Sequence, residues 1–345
     1  MAKIRVGCVG MGMMGKLHYE IYKKHPNAVV VALADADEAK LAGEWTKKPS
    51  TPPNAPTPKP VDLSGIKKYK DADELIDDPE VDLVDVTTPT FLHLRYVVKA
   101  LEAGKHVLCE MPLALTVQEA DKIAATSEKA KGKFMVAHCI RFWPEYEYLA
   151  QIIRGKKYGR VKSALFKRRS TAPSHGWQNW FMNAKRSGGA VLDLHIHDTD
   201  YISYIFGIPK KLESAGITGP SGGIDHIFTS YDFGKSMLVT AESGWAFHGS
   251  YPFEMGYTII FDKATVEYSS NQSPTVKVYS SGGKVETPQI ADGSSYQAEI
   301  DYFLNCILKN QKPKTVTAAD ARNAVLLVRA EEKSARDHRN VAITI

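Results

Sequence analysis

Cysteine is scarce in this chain. Four occur in 345 residues (Cys8, Cys109, Cys139 and Cys306), and no two of them form a CxxC pair or a zinc-ligand spacing. Three lie in apolar, strand-like runs, which reads as reduced core thiols and a cytoplasmic protein. Long hydrophobic runs are also missing: none approaches the roughly 20 residues needed to cross a bilayer. The first apolar run starts at Ile4, which leaves no room for a signal peptide. No charge of one sign dominates. The 44 basic and 39 acidic side chains leave a net +5, and the lysines are scattered rather than striped along one face. The expected partners therefore include neither nucleic acid nor a membrane. What remains is ordinary globular composition, 43% hydrophobic and 24% charged, long enough for two domains.

The N-terminal run enters Gly10-Met11-Gly12-Met13-Met14-Gly15 and leaves into a helical pattern. A glycine at 10 permits a tight turn, one at 12 lets backbone approach a pyrophosphate, and one at 15 lets helix and strand pack closely. The helix N-terminus then offers free N–H donors to phosphates. Ala28 to Ala34 reads as a second buried strand ending on Asp35, 20 residues past Gly15, where a carboxylate would grip ribose hydroxyls. No arginine follows in Ala36-Asp37-Glu38, so a 2′-phosphate would meet uncompensated negative charge. The cofactor expected is NAD rather than NADP.

A helix is expected through Trp45, followed by six prolines between Lys47 and Pro60 that read as a surface loop or arm. Strands at Val81–Val86, Lys105–Glu110 and Phe134–His138 alternate with helices over Thr90–Ala103 and Leu113–Lys131, which predicts a parallel sheet. Its carboxyl ends fall at Thr87-Thr88-Pro89, Glu110-Met111-Pro112 and His138 to Arg141, where ligands sit in such sheets. Residues 1–142 are thus expected to form the NAD-binding domain.

From 143 to 345 the texture changes to a substrate-binding and oligomerisation domain. A helix over Glu145–Arg154 precedes a strand over Val161–Arg169 and a helix over Gly189–Phe206. Strands without intervening helices follow at Leu212–Ile217, Ile224–Asp232, Ser236–Phe247, Glu254–Tyr268 and Thr275–Tyr279, predicting an antiparallel sheet. Helices over Tyr296–Leu308 and Ala318–His338 close the chain. Lys167-Arg168-Arg169 reads as a solvated or interface-facing strand edge.

On the helix at 189–206, α-helical spacing places Asp193, His197, Asp200 and Tyr204 on one polar face. An Asp one turn from a His orients the imidazole for proton transfer near neutral pH. His195 and Asp198 point elsewhere, so His195-x-His197-Asp198 does not make a metal site. No metal is expected.

These motifs resemble the glucose-fructose oxidoreductase / inositol dehydrogenase / MocA family of nicotinamide-dependent oxidoreductases. The resemblance rests on Gly10 to Gly15, Thr87-Thr88-Pro89 with His93, Gly104-Lys105-His106-Val107-Leu108-Cys109-Glu110, Arg141-Phe142 with Pro144, Gly188-Gly189 through Asp193-x-x-x-His197-x-x-Asp200, and Tyr296-x-x-Glu299. It implies a Rossmann domain and an open, mainly antiparallel sheet domain with helices on one face, pairing as homodimers or homotetramers through that sheet. It implies oxidation of a secondary alcohol of a sugar or cyclitol, or the reverse. Thr87, Thr88, Pro89, His93 and Glu110 then lie on the nicotinamide side. His138, Arg141, Trp177 and Trp180 surround the substrate with Asp193 and His197. One departure stands out: the family's Glu-Lys-Pro reads Glu110-Met111-Pro112, and methionine has similar reach but neither charge nor donor. Four readings are open: Met111 as an inactivating change, His197 backed by Asp193 as sole base with His195 or His138 assisting, a redox-assisted elimination or glycoside cleavage, and a non-catalytic NAD(H)-binding protein.

Overall fold

A computed structural model describes residues 3–45, 60–234 and 236–345; the proline-rich stretch falls largely outside the described residues. The first domain runs β1 (Ile4–Val9), α1 (Met13–Lys24), β2 (Ala28–Ala34), α2 (Glu38–Leu41), β3 (Lys67–Tyr69), α3 (Ala72–Asp77), β4 (Leu83–Val86), α4 (His93–Glu102), β5 (His106–Glu110), α5 (Val117–Lys129) and β6 (Phe134–Ala137). The six strands are parallel in the order β3-β2-β1-β4-β5-β6. The order reverses between β1 and β4, which opens a crevice at their carboxyl ends. Apolar runs such as Val6, Val84, Leu108 and Val136 are fully buried because helices cover both faces.

The second domain contains α6 (Pro144–Arg154), β7 (Val161–Thr171), α7 (Ala184–Ser187), α8 (Ile196–Phe206), β8 (Lys211–Thr218), β9 (Ile224–Asp232), β10 (Leu238–Phe247), β11 (Glu254–Phe261), β12 (Ala264–Ser269), β13 (Val276–Ser280), β14 (Val285–Glu286), α9 (Ser295–Leu308), α10 (Ala318–Asp337) and β15 (Val341–Ala342). Its sheet order is β14-β13-β12-β11-β7-β10-β9-β8-β15, antiparallel except for the central β7–β10 pair. The single strand expected over Glu254–Tyr268 is a hairpin. Only Asp262 and Lys263 separate β11 from β12, and Phe261 and Ala264 are both buried, so the hydrophobic pattern carries no mark of the reversal.

β7 is central, which corrects the reading of its basic run as an edge. Arg168 points under the helices, is 2% exposed, and pairs through two nitrogens with Asp198 at 3.1 Å each. Lys167 and Arg169 alternate to the open face and pair with Glu254 and Glu242. Helix α10 starts with a reciprocal Thr317–Asp320 capping box and packs on both α5 and β8. Phe303 of α9 and Val325 of α10 join the core of the first domain. The two domains are thereby braced into one wall of the crevice.

Candidate active site

Two of the three glycines of the first loop are required by their surroundings. Gly10 has φ +93°, a conformation L side chains rarely adopt. A Cβ on Gly15 would lie 2.0 Å from the Gly10 carbonyl oxygen, whereas one on Gly12 would meet nothing within 4 Å. The backbone at 12 therefore faces open space at the start of α1. That helix has no side-chain cap and no acid in its first turn, so the N–H groups of its first turn remain free for an anion. Met13 is exposed, Met14 half-buried, and Met11 buried with its N–H donated to Asp35 Oδ2 at 2.7 Å. Asp35 Oδ1 accepts from Asp37 N, and Lys40 Nζ lies 3.2 Å from Oδ2. The negative charge at 35 is thus compensated by Lys40, contrary to the reading from the adjacent residues alone. An open glycine, an uncapped helix and a terminal carboxylate fit a dinucleotide.

At the β4 end, Thr87 Oγ1 donates to the carbonyls of Gly10 (2.5 Å) and Val9 (3.1 Å), tying the two sides of the crevice together. Thr88 Oγ1 is buried without a partner, and Pro89 leads into the 3₁₀ turn Thr90–Leu92. His93 does not face a ligand. It is 1% exposed, with its ring nitrogens 2.9 Å from the carbonyls of Pro112 and Thr88, so it braces the two segments expected to flank nicotinamide. Glu110, at the end of β5, accepts from Met111 N through Oε2 and lies 3.3 Å from His18 Nε2 through Oε1. The Met111 side chain is half-buried against the first core.

Facing this end, residues Val191–His195 form a π-helical turn before α8 resumes α-helical spacing. The Asp193–His197 pair expected from α spacing forms no hydrogen bond, and the wider turn is the reason. The two residues belong to different environments. Burial, then the charge of Glu110, raises the half-buried Asp193 carboxyl to about 7. Burial, then the positive charge of Arg168 and His138, pushes His197 well below its ordinary range. Its Nδ1 has no hydrogen-bond partner, and neither ring nitrogen of His138 has one. Asp200 does not join the pair: it takes Arg141 through two bonds, at 2.6 and 2.8 Å. Arg141 gives its remaining Nη1 to the Thr315 carbonyl and lies over the Tyr204 ring at 4.5 Å. Arg141 is therefore a buried brace rather than a substrate contact. His195 is likewise committed, with Nε2 3.3 Å from Glu331.

The segment Trp177–Met182 lies above, kinked by left-handed Gln178 and Asn179. Trp177 is 43% exposed and Trp180 stacks on Phe181 at 4.1 Å. Arg186 lies over both Trp177 and Phe91 of the first domain, linking this aromatic segment to the cofactor side. Sequence reading passed over His18, Asp85 and Lys40 as functional. The available signal was Asp85 itself, a charge inside the apolar strand Leu83-Val84-Asp85-Val86.

Residues 4–138 match a family model described as oxidoreductase family, NAD-binding Rossmann fold, and residues 146–267 match the GFO/IDH/MocA C-terminal domain. Over 352 residues the chain is 25% identical to myo-inositol 2-dehydrogenase of Thermotoga maritima, spanning 99% of this chain and 98% of that protein. It is 28% identical over 258 residues to 2,7-anhydro-N-acetylneuraminate hydratase of Escherichia coli, spanning 71% of this chain and 63% of that protein. In three dimensions it matches levoglucosan dehydrogenase in complex with NADH and levoglucosan, with TM-score 0.84, 22% identity and coverage of 99% and 100%; that likeness concerns the fold. Among the described residues no helix is long and apolar enough to cross a membrane, and no cluster of metal-ligating side chains occurs.

Proposed function

We propose, from the premise that this chain belongs to the Gfo/Idh/MocA family of NAD-binding oxidoreductases, that it transfers hydride between NAD and a secondary alcohol of a sugar, cyclitol or sugar derivative. The observation that carries the reading is the half-buried Asp193, raised to about 7 and facing Glu110 across the crevice. A group titrating there is matched to taking a hydroxyl proton at neutral pH. NAD, when bound, supplies the hydride acceptor. The Gly10–Gly15 loop and the N-terminus of α1 hold its diphosphate, Asp35 its adenosine ribose, and Glu110 its nicotinamide ribose, while Thr87, Thr88 and Pro89 line the nicotinamide side.

On the substrate side, Asp193 takes the proton of the reacting hydroxyl. His197, held neutral, offers a ring nitrogen to the same hydroxyl and orients it. Trp177 and Trp180 present flat apolar faces suited to a sugar ring. Met111 fills the position of the family lysine without its charge. This favours a second reading, in which hydride returns after an elimination or glycoside cleavage; a relative is named a hydratase. Ile217, Phe228, Leu238 and Ile260 are exposed on the sheet and support pairing of copies through it. The test is nicotinamide absorbance with NAD over cyclitols, aldoses and glycosides. Reduced cofactor supports dehydrogenation; substrate consumed without net reduction supports the second reading.

A further inference from the structure

Beneath the nicotinamide end of the crevice lies a group of titratable side chains that the proposed reaction does not use. His18 of α1 is 0% exposed and reaches both neighbouring strand ends. Its Nδ1 is hydrogen-bonded to Asp85 Oδ2 on β4 at 2.9 Å, and its Nε2 lies 3.3 Å from Glu110 Oε1 on β5, a charge contact outside hydrogen-bond geometry. Asp85 is itself 0% exposed. From α9, Glu299 faces the same group, fully buried and with neither carboxylate oxygen bonded. Tyr22 of α1 is edge-on to the His18 ring at 6.5 Å with its hydroxyl unpartnered, and Cys8 of β1 completes the surroundings.

The charges decide how this cluster works. Three carboxyls face one imidazole, and an isolated buried carboxylate is strongly disfavoured. Burial and the neighbouring acids push Glu299 well above its ordinary range, so it holds its proton. Burial opposes a charge on His18, but Asp85 and Glu110 together raise it well above its usual range. An imidazolium donating from both nitrogens can bridge two carboxylates, whereas a neutral ring can donate to only one. The Glu110 carboxylate is then held from below by the charge of His18 at 3.3 Å and from the chain by the Met111 N–H.

We propose that His18 is a positioning residue for the cofactor: bridged to Asp85, it sets the Glu110 carboxylate at the end of β5 so that Glu110 can receive the nicotinamide half of NAD(H). This rests on the reading that the nicotinamide half lies at that strand end. Three consequences separate it from simple core stabilisation. The bridge concerns only the nicotinamide half, it acts through Glu110, and it depends on the imidazole remaining charged.

The experiment is a binding titration of NADH and of ADP-ribose, which lacks nicotinamide, on the full chain, His18→Gln, Glu110→Gln and the double variant. The expected result is a loss of about tenfold or more in NADH affinity for each single variant, the scale of a hydrogen bond to a charged group. The double variant loses no more than either single one, and ADP-ribose affinity stays within twofold throughout. In the unsubstituted chain NADH affinity weakens at alkaline pH as His18 loses its proton, and His18→Gln removes that limb. Additive losses, equal losses for both ligands, or an unaltered pH profile overturn the proposal. Asp85→Asn, which keeps the imidazole, covers a failure of His18→Gln to fold and is expected to lose NADH affinity in the same selective way. If the unsubstituted chain binds NADH no better than ADP-ribose, the placement of nicotinamide fails instead.

Discussion

Two histidines, one on each side of the crevice, are treated in opposite ways. Burial disfavours charge on both rings; Asp85 and Glu110 override it and drive His18 toward its charged form, whereas Arg168 and His138 add to it and drive His197 toward its neutral form. His18 is buried and His197 half-buried, so burial alone does not set the outcome. The sign of the nearest charges does. On the proposed cofactor side a charged ring lies against Glu110, and on the proposed substrate side the ring keeps an unpartnered Nδ1. The acid that titrates near neutrality, Asp193, lies between these environments.

The largest effect is expected on the proposed substrate side. Asp193→Asn is expected to lower kcat by roughly 10²–10⁴-fold with NAD binding unchanged, the usual scale for a general base. Steady-state kinetics with cofactor titration check this, and parallel losses in kcat and NAD affinity would count against the assignment. Stability comes next. His18→Leu leaves two buried carboxyls without their bridge and should cost about 3–5 kcal/mol, while His197→Leu, at a ring with an unpartnered nitrogen, should cost under about 1 kcal/mol. Urea denaturation of the two variants tests that asymmetry; equal losses would remove the contrast.

Cofactor choice is a smaller effect. Asp35→Ala should weaken NAD about tenfold and NADP much less, since Lys40 is then released to meet a phosphate. Equal losses would argue against the ribose assignment. The smallest effect is a pH dependence of stability. The folded-state value of Asp193, about 7, lies above the ordinary 3.8, so the folded chain holds this proton longer than the unfolded one. Stability from this site is therefore full in acid and lost as pH rises through about 7. Asp193→Asn should be neutral at acid pH and stabilising by about 1–2 kcal/mol at alkaline pH. A pH-independent effect in denaturant titrations would contradict this.

Much of this was legible in the sequence because it depends on local rules. The glycines at 10, 12 and 15 and the acid at 35 follow from backbone sterics and strand length; in the structure a positive φ requires glycine at 10 and close packing requires it at 15, while position 12 lies open. The parallel sheet follows from alternating strands and helices. What failed to show was non-local. Nothing near Arg141 reveals that Asp200 and the Thr315 carbonyl consume its donors, and nothing near Asp35 reveals how Lys40 folds back. The β11–β12 turn preserves the alternation on both sides. The π-helical turn at Val191–His195 breaks the α spacing on which an Asp193–His197 contact was read. His18 was hidden differently: its two partners come from two other elements, β4 and β5.

The central claim is that proton transfer passes through Asp193 despite the absence of a lysine at 111. Its most direct test is the pH dependence of NAD reduction, measured on this chain beside Met111→Lys with whichever polyol or sugar turns over. Activity is expected in the unsubstituted chain, rising through about pH 7 and losing that limb in Asp193→Asn. Turnover only in Met111→Lys, or a rate flat through that range, would contradict it.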